Sequence, residues 1–425
     1  MLPEGWHRTT LGEIALITSG GTPDRSKPDY WGGDIPWVTT GEIQFNTITD
    51  TTEKITAAGL RNSSAKLFPP GTLLMAMYGQ GKTRGQVAKL GIEAATNQAC
   101  GAILFSESSE PDFYFQYLSW QYEELRELGN AGTQKNLSGG ILKTVAVPVP
   151  PHREQCRIAK ILSTWDETIS STERLLANSR TQWQALIGLT LHLPSANPDA
   201  VTPADNGGFP ASVQPGIPTL PPAPKGWRRI QLRDHLREVR RPVALEDEAS
   251  YRLVTVKRSR GGVELREELR GAEVKTPSQF YVHTNDFLIS KRQIVHGACG
   301  IVPPELDGAV VSNEYAVLHS DGEIDLRFLR YLSETRYFQQ TCFHSSTGVH
   351  VEKMIFKTDH WLNWPFNIPP LAQQQHIVQV LDTARQEVAS IAEQVKVLKR
   401  EKAALMAQLL TGKRRVQLSP EEVSA

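Results

Sequence analysis

No apolar run in this sequence reaches the ~18 residues that a membrane span requires, so no membrane partner is expected. Cysteine is scarce. Cys100, Cys156, Cys299 and Cys342 are scattered, with no Cys-x-x-Cys pair and no Cys/His spacing of a zinc centre. They read as free thiols in a reducing compartment, which places the chain in the cytoplasm and indicates no metal. The opening MLPEGWHRTT lacks the basic segment and apolar stretch of a secretory signal. Net charge is also absent, with 46 Lys/Arg against 46 Asp/Glu. Residues 1–151 carry 12 basic and 15 acidic side chains, whereas residues 225–300 carry 16 and 10. Such a balance does not announce a nucleic-acid binder. Phosphate contacts, if any, must come from local clusters or be shared with a partner.

Catalytic motifs are missing as well. Residues 76–83 (AMYGQGKT) fit a relaxed phosphate loop, and an apolar run precedes them. A phosphate loop must open a helix whose N-terminal amides hold the phosphates. Here RGQVAKLGIEAATNQ follows, reads as strand, and leaves a basic loop as the better interpretation. Asn363-Trp364-Pro365-Phe366 has the shape of a base-holding methyltransferase motif without its first proline, and no glycine-rich loop for a methyl donor accompanies it. It reads as strand. Glu273-Val274-Lys275 has no upstream Pro-Asp to make a nuclease site, and no histidine joins a recognisable Ser or Cys triad.

What the chain does contain is a long amphipathic stretch, entered through Pro150-Pro151 and stopped by Pro194. A seam of period 3.5 runs through Ile158, Leu162, Trp165, Ile169, Leu176, Trp183 and Leu186. At ~1.5 Å per residue this helix is roughly 50 Å long and needs a partner of similar length. The chain supplies one 219 residues later. Pro369-Pro370 opens a seam through Ile377, Leu381, Ala384, Val388, Ile391, Val395, Leu398 and Leu405. Gln155 maps onto Gln374, Ile158 onto Ile377 and Leu162 onto Leu381.

The repeat extends upstream of both helices. Gly226-Trp227 echoes Gly5-Trp6, and YRLVTVKR sits where IPWVTTGE sat. The segment IDLRFLRYLSETRYFQQ corresponds to a helix expected over residues 112–128, and SSTGVHVEKMIFK to AGTQKNLSGGILK. Between the copies, residues 194–224 hold nine prolines in 31 positions and two charges, and read as an extended mobile linker. A period of ~220 residues exceeds any solenoid repeat and implies a duplicated domain pair.

These pieces resemble the DNA-specificity subunit of type I restriction–modification enzymes. The stretches that carry the resemblance are GGTPDRSKPDYWGGDIPWVTTGEI, AATNQAC, GTQKNLSGGILKTVAVPVPPHREQCRIAKIL and ALMAQLLTGKRRV. The Pro-rich connection is longer than the family's usual one, and the second copy, with SSTGVHVEKMIFK and NWPF, matches less closely. The resemblance implies an α+β architecture in which two α/β target recognition domains in tandem repeat are separated by two long antiparallel helices forming a coiled-coil spacer. The boundaries are recognition domain 1 at 1–150, helix 151–193, linker 194–224, recognition domain 2 at 225–369, helix 370–413 and a flexible tail 414–425. Each domain is expected to read one half of a bipartite, asymmetric site in double-stranded DNA. The helices set the spacing and dock two DNA adenine methyltransferase subunits, with restriction/translocase subunits as further partners in defence against foreign DNA. Methyl donor and ATP belong to those partners, so this chain itself is non-catalytic, with no cofactor and no metal.

Basic loops are the candidates for DNA contact. In the first unit they are Arg25, Lys27, Lys82, Arg84, Gln134, Lys135 and Asn136, and in the second Lys257, Arg258, Arg260, Lys291, Arg292, Gln293 and His296. Arg, Gln and Asn offer paired hydrogen bonds to base edges, whereas Lys mostly meets phosphate. Tyr30, Trp31 and Trp37 read as core or loop anchors. Two other readings are a nucleotide-binding protein using the loop at 76–83 and a coiled-coil scaffold without DNA specificity.

Overall fold

Pro3 to Trp6 form a four-residue turn, closed by the Trp6 N–H on the Pro3 carbonyl at 3.1 Å, and Pro224 to Trp227 form the same turn at 3.0 Å. Gly5 and Gly226 take φ of +83° and +86°. Only glycine enters that left-handed region without steric cost, which accounts for the recurrence of Gly-Trp. Each Trp then packs edge-on against a Phe, Trp6 on Phe113 and Trp227 on Phe328. The structure, a computed structural model, describes residues 2–79, 82–128, 136–192, 210 and 212–417. It divides into two compact units, Met1–Leu175 with Ile391–Ala425, and Leu176–Ser390.

Each turn leads into a strand that pairs with the last strand before the Pro-Pro step. In the first unit His7–Thr10 lies antiparallel to Ala146–Val149, and in the second Arg228–Gln231 lies antiparallel to Pro365–Ile368. Asn363-Trp364-Pro365-Phe366 therefore runs into a structural strand, with Phe366 buried. The first unit adds a five-stranded sheet in the order Ala15–Ser19, Cys100–Phe105, Leu73–Ala76, Val87–Leu90, Thr47–Ile48, and a four-stranded sheet built around Trp31–Val38. In the second unit, Leu236–Val239, Tyr315–Ser320, Phe287–Ser290 and Cys299–Ile301 form one sheet. Five strands around Ser250–Val256 form another. Buried runs such as Leu73–Ala76 and Phe287–Ser290 lie between layers, which is why they read as continuous apolar strands.

The helix expected over 112–128 is two helices, Pro111–Trp120 and Tyr122–Leu128. Its counterpart also splits, into Leu326–Leu332 and Arg336–His344. There the Thr335 side chain accepts from the Phe338 N–H and caps a new start, so a local cap overrides a continuous apolar stripe. The described part of the Pro-rich stretch, 212–224, lies against the second unit. Val213 is fully buried, and the Pro221 carbonyl accepts from Asn367 Nδ2 at 2.9 Å.

The long helices are His152–Thr190 and Leu371–Leu409. Both begin with one buried glutamine. Gln155 Oε1 accepts from the Glu110 N–H at 2.9 Å, and its Nε2 donates to the Pro150 carbonyl at 2.9 Å. Gln374 Oε1 accepts from the Asp325 N–H at 2.8 Å, and its Nε2 donates to the Glu323 and Pro369 carbonyls at 2.9 Å each. The same side chain thus ties each long helix to the start of its unit's short helix.

In the first unit the two long helices run antiparallel, with Lys402 Nζ on Asp166 Oδ1 at 2.6 Å and Lys399 Nζ on Glu173 Oε1 at 2.7 Å. In the second, Ile187 and Leu191 share a core with Ile377, Val378 and Leu381. Every seam residue named from the sequence is buried or half-buried. Ile187, Leu191, Val378, Met406, Leu409 and Leu410 are buried beside them. No helix among the described residues is long and apolar enough to cross a membrane.

Gln374→Ala removes the partner of one N–H and two carbonyls, of which the Pro369 bond is buried and the other two part-buried, and is expected to cost about 2 kcal/mol, read as a lower urea midpoint for unfolding. Gln375→Ala, one residue along on the exposed face, should stay within about 0.5 kcal/mol. Equal effects of the two would remove the joint from the fold's stability. Ile391→Asp, in a buried seam position, should cost about 3 kcal/mol, and Leu398→Asp less, because Leu398 is only half-buried.

Candidate nucleic-acid interface

In the first unit the candidate loops are joined by backbone hydrogen bonds. Gly21 N–H donates to the Thr96 carbonyl at 2.8 Å, Met77 N–H to Ala99 at 2.9 Å, and Leu137 N–H to Met77 at 2.9 Å. These bonds gather the loop bearing Arg25 and Lys27, the turn at 96–99, the loop bearing Lys82 and Arg84, and the segment bearing Asn136. The approach is close. A Cβ on Gly20 would stand 2.0 Å from the Thr96 carbonyl oxygen, and one on Gly21 would stand 2.4 Å from the Ser64 carbonyl carbon. The Gly-Gly pair is fixed by packing there, without positive φ.

Trp31 and Trp37 anchor the first loop. Trp37 Nε1 donates to the Gly21 carbonyl at 3.0 Å, and Trp31 meets Trp37 edge to face at 5.0 Å. The Arg25 guanidinium lies 3.8 Å above the Trp31 ring and donates to Glu53 Oε2 at 2.8 Å. This hydrogen bond holds the Glu53 carboxyl below its usual range and lifts the guanidinium of Arg25. Arg25 is thereby pre-oriented with half its side chain in solvent. Lys27 Nζ reaches the Tyr30 hydroxyl at 3.4 Å. Arg84 donates to the Arg126 carbonyl, and Tyr122 donates its hydroxyl to the Lys82 carbonyl. Asn136 is exposed. Gln134 and Lys135 lie outside the described residues. Gln98 was missed by sequence reasoning. It is exposed among these loops and accepts from the Thr22 hydroxyl. Its stretch, AATNQAC, carries the resemblance but holds no Lys or Arg, so charge does not mark it as a contact loop.

The second unit also brings its two candidate sets together. Ser259 N–H donates to the His296 carbonyl and Arg260 N–H to Gly297, both at 2.8 Å. Ser259 and Arg260 sit at φ of +54° and +57°, strain that these bonds hold in place. All five cations here have acidic partners: Lys257 with Glu264 and Arg258 with Glu352 at 2.9 Å, Arg260 with Glu334 at 2.8 Å, Lys291 with Glu238 at 2.9 Å, and Arg292 with Glu314 at 3.1 Å. Arg260 and Lys291 are only 23% and 18% exposed, so they act as internal struts and not as surface readers. Gln293 is half-buried. His296 is buried, and its Nδ1 lies 2.9 Å from the Ser212 hydroxyl. Lys257, Arg258 and Arg292 keep half their side chains in solvent.

The loop at 76–83 does not have the form of a phosphate loop. Gln80 and Gly81 lie outside the described residues, but Lys82 and Thr83 lead into strand Val87–Leu90 and open no helix.

Residues 3–178 match the family described as Type I restriction modification DNA specificity domain. The Type I restriction enzyme MjaIX specificity subunit of Methanocaldococcus jannaschii is 29% identical over 178 residues, which is 41% of this chain and 40% of that protein. The HindI specificity subunit of Haemophilus influenzae is 25% identical over 179 residues, 40% of this chain and 38% of that protein. The matched region is thus about two fifths of the length of these relatives. In fold, the Type-I restriction-modification system S subunit from M. genitalium matches with a TM-score of 0.57 and 13% identity, covering 97% of both chains. The architecture is that of tandem α/β domains, each with a long helix.

Burial holds the His296 imidazole below its usual pKa, with the nearby Arg258 charge adding to the effect. The unfolded chain then binds a proton that the folded chain refuses. The resulting stability is present above the ordinary histidine range and is lost as pH falls through it. Urea unfolding should show the second unit weakening from about pH 7 to about pH 5. His296→Gln should flatten that dependence, and an unchanged slope would exclude His296 as its origin.

Proposed function

We propose that this chain is the DNA sequence-recognition subunit of a type I restriction–modification enzyme. The observation that carries this reading is the repeat. The same Gly-Trp turn, strand pair, glutamine joint and long helix occur twice, and the first copy matches the type I restriction modification DNA specificity domain. Each globular part reads one half of a bipartite site. The two halves differ in sequence, so the target is asymmetric. The antiparallel helices set the distance between half-sites, as dimer geometry does for repressors on palindromes. They also dock methyltransferase subunits, two per complex, and restriction/translocase subunits join that assembly. Methyl transfer, ATP use and cleavage belong to those partners, and this chain carries recognition alone.

The chemistry of the gathered loops supports the reading. In the first unit, Arg25 stands on an aromatic face with its fork oriented, and Gln98 and Asn136 offer amides for base edges. Lys27 and Lys82 suit phosphate. In the second unit the exposed ion pairs of Lys257, Arg258 and Arg292 can exchange a carboxylate for a phosphate or a base at little cost, because solvent-exposed pairs are worth only about 0–1 kcal/mol.

Mapping methylated sites after exchange of residues 3–149 for the equivalent unit of a relative tests the reading. One half-site should change and the other stay. A complex that folds, assembles and reads two new halves, or none, would refute modular recognition. Within a unit, Arg292→Ala should cost about 1–3 kcal/mol at one base position. Lys82→Ala should weaken all sites alike and lower the salt slope by about one.

A further inference from the structure

We infer that the first unit carries a site for a divalent transition-metal ion, of the zinc class, at the root of the first long helix. Its donors are His152, Cys156 and Glu110. His152 and Cys156 are four residues apart on one helix, so they share a face. Glu110 comes from the N-cap of helix Pro111–Trp120, 46 residues before the cysteine. Spacing read along the chain therefore gives no sign of the set.

The distances fit tetrahedral coordination. Zinc bonds of ~2.3 Å to sulfur and ~2.0–2.2 Å to nitrogen and oxygen place the donor atoms about 3.5 Å apart. Cys156 Sγ lies 3.6 Å from Glu110 Oε2 and 3.7 Å from His152 Nδ1. All three donor atoms lie within 4.8 Å of one another. His152 is exposed, and its ring presents both nitrogens to the sulfur, at 3.7 and 3.9 Å, so a small rotation selects either.

The site is also supported from behind. Glu110 is held by its own backbone N–H on Gln155 Oε1, and its Oε1 caps Asp112 N–H at 3.1 Å, which leaves Oε2 aimed at the sulfur. As the metal–sulfur bond forms, the thiol proton leaves to solvent. Carboxylate and imidazole lone pairs fill two more positions, and a fourth stays open for water. The ion would clamp the short helix to the long one across the joint that Gln155 already makes. The second copy places Leu371 and Gln375 at the corresponding helix positions, so only one of the two units has the site.

Titration of the metal-free full-length chain with Co2+ tests this. The expected result is one Co2+ per chain, a near-ultraviolet thiolate-to-cobalt charge-transfer band, and displacement by Zn2+. Zinc should also raise the melting temperature, since it binds the folded state. The other three cysteines are buried, so the band reports Cys156. Cys156→Ser should abolish the band, and His152→Ala should weaken binding by about tenfold or more, the loss typical of even an indirect ligand contact. His376→Ala, an exposed histidine on the second helix, should change nothing. His152→Ala, at an exposed position, carries the comparison if Cys156→Ser does not fold. No charge-transfer band in the wild-type chain, or undiminished binding in His152→Ala, would overturn the proposal.

Discussion

A single glutamine amide at the root of each long helix holds each globular fold to its helix. Three groups meet there: the N–H of a short helix's N-cap residue, the carbonyl of the first proline of the Pro-Pro step and, in the second unit, the carbonyl of Glu323. A helix start leaves its first N–H groups unsatisfied, and proline supplies no donor of its own. The group that closes this arrangement must accept on one atom and donate on another. Glutamate lacks the donor, and asparagine is one methylene shorter. Burial makes the choice strict, because an unmatched polar group in this apolar setting costs about as much as several surface contacts contribute. Pro-Pro, Gln and the following seam are therefore one device, and the device fixes how each sheet assembly meets its helix.

The two copies use that frame differently. In the first, Glu154 sits buried beside the glutamine, accepts from Trp6 Nε1 at 3.2 Å and is ion-paired with Arg415. Arg415 also donates to the Glu4 carbonyl at 3.1 Å, which binds the end of the described chain to the opening turn. In the second copy an exposed Gln373 takes the place of Glu154, and Trp227 Nε1 has no partner among the described residues. The surfaces differ too. Backbone bonds gather the loops in both units, but aromatic rings anchor them in the first, whereas ion pairs hold every candidate cation in the second. A cation held half-buried against a carboxylate, as Lys291 is, would strand a charge if it left to meet DNA. One in solvent, as Arg258 is, loses almost nothing by changing partners. Burial therefore sorts second-unit cations that look alike in the sequence.

The parts of the fold visible in the sequence are those governed by periodicity and by residues with one physical use. The seam was legible because burial recurs every 3.5 residues, and Gly5 and Gly226 because a left-handed turn admits little else. The break at Gln121 was not legible, since its flanking residues keep an apolar stripe going. The seating of Val213 was hidden by a proline-rich composition that speaks only of chain stiffness. Within the candidate interface, the gathering of loops through Gly21, Met77 and Leu137 rests on backbone bonds that carry no side-chain signature. His296 looked like a loop cation because nothing local reveals that Ser212, 84 residues away, covers it.

The antiparallel helices have a further consequence for the repeat. The core of the first unit is completed by Met406, Leu409 and Leu410, from the end of the second helix. The core of the second is completed by Ile187 and Leu191, from the end of the first. Neither copy is closed by its own sequence. Each is finished by the far end of the other's helix, the relation that two-fold dimers achieve with separate chains. Fusing the halves into one polypeptide keeps that reciprocal closure and frees the loops of each copy to diverge, since the closing contacts lie in the seam. The copies diverge in loops and sheets and at single positions of the helix roots, whereas the glutamine joint and the seam pattern recur in both.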